Sequence, residues 1–380
     1  MGDPKINLLG LMLPFLLITP QTFAGSGVGT DIPITQTPVP NPGKQWLPAS
    51  LGTPPAIYND ECHGEDDTHI GSLVFSKTNQ LDPYRCIRQI VDSLIANASM
   101  TINPDPGGVN QYQFSFPYLE VIEGNLLING AEGWDEVYFP RLHQVDGNIT
   151  VYLETAVEFI HMPQLTEVAK VTVHMRSMNN DLQGMDNLVD VERIEFNNFV
   201  ESEDENLDFQ LQGFNKLTEL DYLTIKGRGI YDLNESAANQ NDLVLINLTQ
   251  VHHNVVFEGE GLSHLYGVES LQTVNGNLSI TDEDSLLDLT GLENLQSVGG
   301  TLNIYDAAGL TTLNGLGGAT VTKVSIKGNP ALTDISALNN LTITQELKFS
   351  NNNSLSCASV QNFENAHPNV NVVIESGGCQ

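Results

Sequence analysis

The sequence predicts a β-rich solenoid of the leucine-rich-repeat type, with about eleven coils and one long parallel sheet. The first observation behind this prediction is a recurring motif, L-x-x-[VI]-x-G-[NT]-[LI]-x-[IV]. The second is its period: eight of the ten intervals between successive strand starts span 22–25 residues, as in leucine-rich repeats. Copies of the motif begin at Leu119, Leu142, Leu271 and Leu295 and, in looser form, at Leu165, Leu188, Leu217 and Leu248.

Each repeat contains a short strand whose side chains alternate between the two faces of a sheet. In the first repeat Leu126 and Ile128 are predicted to point inward and Leu127 outward. Gly124, two residues before the strand, permits a tight turn where successive coils stack closely. One unit cannot bury its apolar side alone, so stacked units form the core. The predicted first inward residues are 126, 149, 171, 194, 223, 255, 278, 302, 324, 347 and 372.

The repeats predict a solenoid over residues 114–356. Two of its intervals lengthen to 29 and 32 residues. These longer intervals predict insertions near 199–212 and 227–242.

The segments before the repeats have the composition of an exported chain. Residues 1–24 predict a signal peptide, because the apolar run Ile6–Thr19 precedes a small-x-small cleavage site that ends at Ala24. Residues 25–57 are rich in Pro and Gly and predict an extended linker that cannot fold alone.

Residues 58–113 predict an N-terminal cap. Ser72–Ser76 has the character of a short strand. Asp82 followed by Pro83 is a typical helix start, with an N-cap residue before a proline at the first helical position. An amphipathic helix is therefore expected over about 83–97. The apolar residues at helical spacing are Ile87, Ile90, Val91, Leu94 and Ile95.

The chain contains 4 cysteines, in two pairs near the two ends of the predicted fold. Three pairings are possible, and an exported chain is expected to form disulfides. Proximity in the sequence favours Cys62–Cys86 and Cys357–Cys379. The second of these bonds would close a C-terminal cap over residues 357–380.

The chain is strongly acidic, with 15 Lys and Arg against 47 Asp and Glu, for a formal net charge of -32. Such a surface disfavours nucleic acid and anionic membranes as partners. No second apolar stretch is long enough to predict a transmembrane helix. The acidic clusters Asp282-Glu283-Asp284 and 201–205 are interpreted as solvated loop charge, with calcium binding as the alternative. No pattern in the sequence predicts a cofactor or a metal site.

No sequence motif of a known catalytic centre is present. A β-helix can carry polysaccharide-cleaving carboxylates on its sheet. The outward sheet positions include Glu195, Glu258, Glu346 and Glu375, and none of these four forms an obvious adjacent pair with a partner in the next coil. His252 and His253 are sequence neighbours whose side chains should point apart, which argues against a joint metal site. The sequence therefore predicts a protein that is not an enzyme.

The outward side of the predicted sheet is the candidate binding surface. It is rich in Asn, Thr and Ser, with Tyr at intervals and little net charge. Polar and β-branched residues suit any exposed sheet, but aromatic rings beside amides and hydroxyls also suit a sugar or peptide ligand. Candidate ligand-binding residues are Tyr152, Thr172, His174, Tyr222, Asn303 and Tyr305.

The segment Phe116-Pro117-Tyr118-Leu119-Glu120-Val121-Ile122-Glu123-Gly124-Asn125-Leu126 and its echo Phe139-Pro140-Arg141-Leu142 resemble the repeat of the receptor L domain family. The likeness covers roughly residues 58–380. It implies a right-handed coil, a helix-containing disulfide cap that would include Cys86, and ligand binding without catalysis. Because one such domain is shorter, the chain is either two fused L-type domains or one long solenoid.

Together these features predict a secreted or cell-surface solenoid that binds an extracellular protein or glycan through its sheet or its inserted loops. A periplasmic location is the alternative for a bacterial chain. A cell-envelope structural protein without a selective ligand is the second functional hypothesis, and a polysaccharide-active β-helix enzyme is the third. The sequence leaves the oligomeric state open.

Overall fold

The computed structural model describes residues 68–75, 86–97, 113–130, 136–153, 159–175, 181–182, 185, 187–199, 210–211, 214–228, 245–259, 262, 265 and 267–380. These residues all belong to one unit, Ile34–Gln380. The predicted signal peptide, the linker, Cys62 and most of both insertions lie outside the described residues.

A parallel β-solenoid forms the described part of the chain, as predicted, with one long parallel sheet of 19 strands. The strands stack in thirteen levels, six of which consist of two short strands. In chain order the levels are β1 (Thr68–Ile70) with β2 (Leu73–Phe75), β3 (Gln89–Val91) with β4 (Leu94–Asn97), β6 (Val121–Ile122) with β7 (Leu126–Gly130), β9 (Gln144–Leu153), β11 (Glu167–Met175), β13 (Asp190–Phe199), β15 (Glu219–Leu220) with β16 (Tyr222–Arg228), β17 (Gln250–Val251) with β18 (Val255–Glu258), β19 (Thr273–Val274) with β20 (Leu278–Thr281), β21 (Ser297–Tyr305), β22 (Thr320–Lys327), β23 (Thr342–Ser350) and β24 (Asn371–Ile374).

The predicted strand register is confirmed at every repeat. The eleven predicted first inward residues pair level by level, from Leu126 with Ile149 to Leu347 with Val372. Two smaller parallel sheets accompany the main one. They consist of β5 (Gln113–Ser115), β8 (Glu136–Tyr138) and β10 (Phe159–His161), and of β12 (Asp181–Leu182) with β14 (Gln210–Leu211).

The predicted N-terminal helix over 83–97 is wrong. Its described part, 86–97, contains β3 and β4, which add a level to the sheet through the pairing of Leu94 with Leu126. The apolar spacing suited a helix, but Ile90 and Leu94 are both fully buried by parallel pairing, and β-branched residues favour strands. Asp92 between them has a φ of 134°, which a helix does not accommodate. The predicted strand at 72–76 is present as β2. The levels β1–β2 and β3–β4 precede the eleven predicted ones, so the predicted number of about eleven coils is approximate.

The core is a stack of aliphatic layers inside the coils. Most strands contribute two inward residues to this core, and Leu278 and Ile280, for example, are both 0% exposed. The opposite wall comes from pairs of buried residues three apart, such as Phe139 and Leu142, whose backbones are joined by a turn hydrogen bond from N–H to C=O of 3.3 Å. Pro140 follows Phe139, at the turn position that proline favours.

The Gly-Asn pair of the motif has a direct structural cause. The Oδ1 of Asn125 accepts the backbone N–H of Asn148 in the next coil at 2.8 Å, and Asn254 does the same for Asn277. Gly147 lies against this amide, since a Cβ there would come within 2.6 Å of the Asn125 Oδ1. The glycine therefore leaves room for the asparagine ladder that joins successive coils.

The C-terminal cap contains an α-helix that the sequence analysis missed. Helix α1 (Cys357–Ala366) begins after Ser356, whose side chain accepts the N–H of Ala358, and it buries Val360 and Phe363 against the last coil. The predicted Cys357–Cys379 disulfide joins the helix to the chain end. Cys86 is also disulfide-bonded, and its predicted partner Cys62 lies outside the described residues. A short 3-10 helix, Ser336–Asn340, precedes β23.

Candidate functional site

The six candidate ligand-binding residues all lie on β9, β11, β16 and β21 of the main sheet, and they form three separate clusters. Tyr152 and Tyr305 are six levels apart, which is about 29 Å at the usual strand spacing. The structure therefore brings Tyr152 together with Thr172 and His174, and Asn303 with Tyr305. Tyr222 lies midway between these two clusters.

The first cluster is a stacked pair on adjacent strands. The rings of Tyr152 and His174 are parallel, with centroids 4.3 Å apart. Thr172 occupies the neighbouring outward column but is only 6% exposed. With so little of its surface exposed, Thr172 is poorly placed to contact a ligand directly.

The middle cluster is closed by its own residues. Arg193 lies over the Tyr222 ring at 4.3 Å, and His253 stacks on the same ring with centroids 4.6 Å apart. These two partners come from the strand levels on either side of Tyr222, so both ring faces are occupied. His252 has a different partner, since its Nε2 lies 3.2 Å from the Glu219 Oε2. The two adjacent histidines therefore contact separate groups.

The third cluster is a hydrogen-bonded surface patch. The Tyr305 hydroxyl donates toward the Asn303 Oδ1 at 2.9 Å and lies 3.0 Å from the Ser325 Oγ. The Asn303 side-chain amide donates to the Ser279 Oγ at 3.0 Å. Lys327 lies over the Tyr305 ring at 5.9 Å. Four polar side chains from three adjacent strands are thus held in fixed positions around one aromatic ring.

The sheet face is defined as the three outward columns of the main sheet that flank and separate the two inward residues of each level, as Asn125, Leu127 and Asn129 do around Leu126 and Ile128. Its charge bias is opposite to that of the whole chain, because it carries six of the chain's 15 cationic residues and four of its 47 acidic residues. The cations are Lys170, Arg193, Lys226, Lys323, Lys327 and Lys348, and the acidic residues are Glu195, Glu258, Glu346 and Glu375. The net charge of this face is therefore small and positive.

Four cations of this surface were not predicted from the sequence: Lys170, Arg193, Lys323 and Lys327. Each of the first three precedes the first inward residue of its strand, and each belongs to a repeat without the Gly-Asn signature. The predicted register places the residue before Val171, Ile194 and Val324 on the outward side, and this rule identifies the first three cations. Lys327 follows the second inward residue, Ile326, in one of the weak C-terminal repeats.

The acidic residues of the sheet face are engaged in ion pairs and hydrogen bonds. Burial opposes ionisation of Glu195, but hydrogen bonds and charge from Lys170 and Arg193 hold its pKa below the usual value. Lys226 pairs with Glu258 at 2.6 Å, and Asn371 donates to Glu346 at 3.3 Å. Glu195 and Glu258 lie in different clusters with different partners, whereas Glu346 and Glu375 both lie near Lys348.

An acidic groove of about 230 Å³ lies beside the face, at the start of β9, β11 and β13. It is open to solvent, and Gln144 donates to the Asp146 carboxylate at 2.7 Å within it. Among the described residues, no group of three His, Cys, Asp or Glu side chains is placed to hold a metal ion. The groove is lined by Gln144, Val145, Asp146, Glu167, Val168, Ala169, Asp190 and Glu192.

The interpretation of Asp282-Glu283-Asp284 as solvated charge is wrong for Glu283. Asp282 and Asp284 are exposed, but Glu283 is 0% exposed and its Oε2 accepts the N–H of Leu262 at 3.2 Å. Burial raises the pKa of Glu283 to about 8, and the nearby carboxylates add to the shift. Asp282, just before it, takes a φ of 58°. The cluster at 201–205 lies outside the described residues.

Comparison with protein-family models and with curated proteins gives no match for this chain. The resemblance to receptor L domains therefore stays a prediction from the motif. No helix in the described ranges is long and apolar enough to cross a membrane.

Proposed function

We propose that this chain is a secreted or cell-surface solenoid that binds an extracellular protein or glycan without catalysing a reaction. The observation that carries the proposal is the charge reversal on the sheet face, where six cations accompany four acidic residues in a chain of net charge -32. A charge pattern that is local and opposite to the rest of the surface favours a binding role, because uniform acidity would serve solubility alone.

Rigidity supports the same proposal. The polar groups of the sheet face project from a continuous hydrogen-bonded sheet, and the Tyr305 hydroxyl is fixed by Asn303 and Ser325. A preorganised surface loses little conformational entropy when a ligand binds. Aromatic, amide and hydroxyl groups side by side provide stacking and hydrogen bonds for a sugar or a peptide.

The first experiment is a binding screen of the purified full chain against arrays of glycans and extracellular proteins. Once a ligand is found, Tyr152→Ala and Tyr305→Ala are compared with Leu287→Ala, an exposed residue outside the strands of the sheet. We expect at least one tyrosine variant to weaken binding about fivefold or more, since aromatic anchors dominate interfaces. Leu287→Ala should bind like the unmodified protein.

Two outcomes contradict the proposal. A chain that binds nothing selectively in the screen fits an envelope structural protein instead. Turnover of a polysaccharide by the purified chain would place it among β-helix enzymes. If both tyrosine variants bind normally while deletions in 199–212 or 227–242 abolish binding, the ligand site lies on the insertions and the assignment to the sheet face is wrong.

A further inference from the structure

Two lysines on the sheet face have no ionic partner among the described residues, although acidic residues outnumber basic ones about threefold in this chain. Lys323 and Lys327 are both exposed, and neither forms an ion pair within the part of the chain that the structure describes. The other lysines of the face are paired at 2.6–2.7 Å: Lys170 with Glu195, Lys226 with Glu258 and Lys348 with Glu375. The two free ammonium groups are therefore a local feature of β22.

The two lysines flank a hydroxyl on the same strand. Lys323, Ser325 and Lys327 alternate with the buried Val324 and Ile326, so all three point outward. Four residues of extended strand separate the lysine Cα atoms by about 13 Å. The surface between them thus presents a hydroxyl flanked by two positive charges.

The neighbouring strand β21 adds an aromatic ring and an amide to this surface. The Tyr305 hydroxyl contacts Ser325 and Asn303, and Lys327 lies 5.9 Å from the ring centroid. Among the described residues, no aromatic ring stacks on Tyr305, whereas His174 covers Tyr152 and His253 covers Tyr222. Tyr305 is therefore the outward tyrosine best placed to stack on a ligand.

We propose that Lys323, Ser325 and Lys327, together with Tyr305, form a binding site for an anionic glycan, meaning a saccharide chain that carries carboxylate or sulfate groups. This inference rests on the proposed binding function and specifies its ligand class and its place. The lysines neutralise the acidic groups of the glycan, and the tyrosine ring and the hydroxyls contact its sugar rings.

Charge favours a glycan over a second copy of the chain as the occupant. Two copies would each bring a net charge of -32, and their mutual repulsion opposes docking. A thin saccharide strand contacts the face alone. The carboxylate beside Lys323 in the register is that of Glu346, which accepts a hydrogen bond from Asn371 at 3.3 Å. The acidic groove reaches no closer than β13, five levels or about 24 Å from β22, which exceeds the screening length of about 8 Å at physiological salt.

The test uses the full chain and three probes: heparin as a sulfated polysaccharide, polygalacturonate as a carboxylated one and dextran as a neutral one. Binding is measured by isothermal titration calorimetry at two salt concentrations. We expect binding to heparin or polygalacturonate that weakens with salt, and none to dextran. The double variant Lys323→Gln/Lys327→Gln should lower the affinity about tenfold, as expected for the loss of two exposed charge contacts.

The matched control is Lys170→Gln/Lys226→Gln, which removes the same charge from the same face but at lysines already paired with carboxylates. It should change the affinity less than twofold. Tyr305→Phe, which keeps the ring and removes the hydroxyl, should weaken binding less than Tyr305→Ala. Far-UV circular dichroism checks that every variant is folded.

Three results would overturn this inference. If both double variants lose affinity equally, the attraction is general to the face and no site exists at β22. If neither heparin nor polygalacturonate binds, the proposed ligand class is wrong. Selective binding to dextran or to a protein would also contradict an anionic glycan, but the proposed binding function would still stand. Self-association in sedimentation velocity that Lys323→Gln/Lys327→Gln abolishes would identify a second copy as the occupant.

Discussion

The side-chain Oδ1 of Asn352 accepts the backbone N–H of Asn329 in the preceding coil, at 3.1 Å, and both side chains are 0% exposed. Asn329 repeats the contact by accepting the N–H of Ala307 at 3.0 Å. The Nδ2 of Asn352 donates to the carbonyl of Ile326, and the Nδ2 of Asn329 donates to the carbonyl of Ile304, each at 3.0 Å. The two amides form a buried ladder that satisfies the backbone where each coil leaves the sheet.

Removal of one amide from this ladder is expected to destabilise the solenoid strongly. Asn352→Ala leaves the N–H of Asn329 and the carbonyl of Ile326 without their partner, and each orphaned buried group costs about 1–3 kcal/mol. We expect a loss of about 2–4 kcal/mol in urea unfolding followed by far-UV circular dichroism. Asn353→Ala, at the exposed neighbour, should cost less than about 0.5 kcal/mol, and equal losses would contradict the ladder.

The glycine before each strand gives a second prediction. A methyl group at Gly147 would lie 2.6 Å from the Asn125 Oδ1 and from the carbonyl oxygen of Gly124, so Gly147→Ala should cost about 1–3 kcal/mol through overpacking. Gly318→Ala is the matched control, because the nearest atom to a Cβ there is 3.7 Å away. Its unfolding midpoint should stay within experimental error or rise. A neutral Gly147→Ala would mean that the coils are less closely stacked than described.

The strand register is predictable from the sequence because the repeats combine alternating strands with, in several copies, the Gly-Asn signature. The signature reflects a specific contact, the Asn125 amide against Gly147, so it located the strands to the residue. The level at Leu94 was missed because Asp92-Ser93 stands where other repeats have Gly-Asn. Ser93 nevertheless performs the task of the asparagine, since its Oγ accepts the N–H of Asn125 at 3.0 Å.

The candidate site was predicted less completely, because it depends on contacts between strands. The outward positions of Tyr152 and Tyr305 follow from the register, but the stacking of His253 and Arg193 on Tyr222 depends on repeats separated by insertions. Tyr222 is consequently a weaker candidate than its sequence position suggested. The burial of Glu283 was not predictable from the sequence either, because three consecutive acidic residues have the composition of a solvated loop.

The aliphatic ladder gives a third prediction. Leu278 and Leu302 pair on adjacent levels and are both 0% exposed, so Leu→Ala at either should cost about 2–5 kcal/mol. Leu287 is 54% exposed, and Leu287→Ala should leave the urea midpoint almost unchanged. A loss below about 0.5 kcal/mol at Leu302 would show that the inward column is assigned wrongly.

The buried carboxyl of Glu283 predicts a pH dependence of stability. Burial raises its pKa to about 8 in the folded protein from the ordinary value of 4.5. Below pH 4.5 the group is protonated in both states and contributes no difference. Between pH 4.5 and about 8 the unfolded chain is ionised while the folded chain stays neutral, so stability falls as the pH rises. Above about 8 the loss is complete, on the order of 3–5 kcal/mol.

Glu283→Gln removes this titration while keeping an acceptor for the Leu262 N–H. We expect the variant and the unmodified protein to have similar urea midpoints at pH 4, and the variant to be the more stable by a margin that grows up to about pH 8. Asp284→Asn, at the exposed neighbour, supplies the control for removal of one negative charge from the same turn. Midpoints that differ by the same amount at pH 4 and pH 9 would show that Glu283 ionises alike in the folded and unfolded chains.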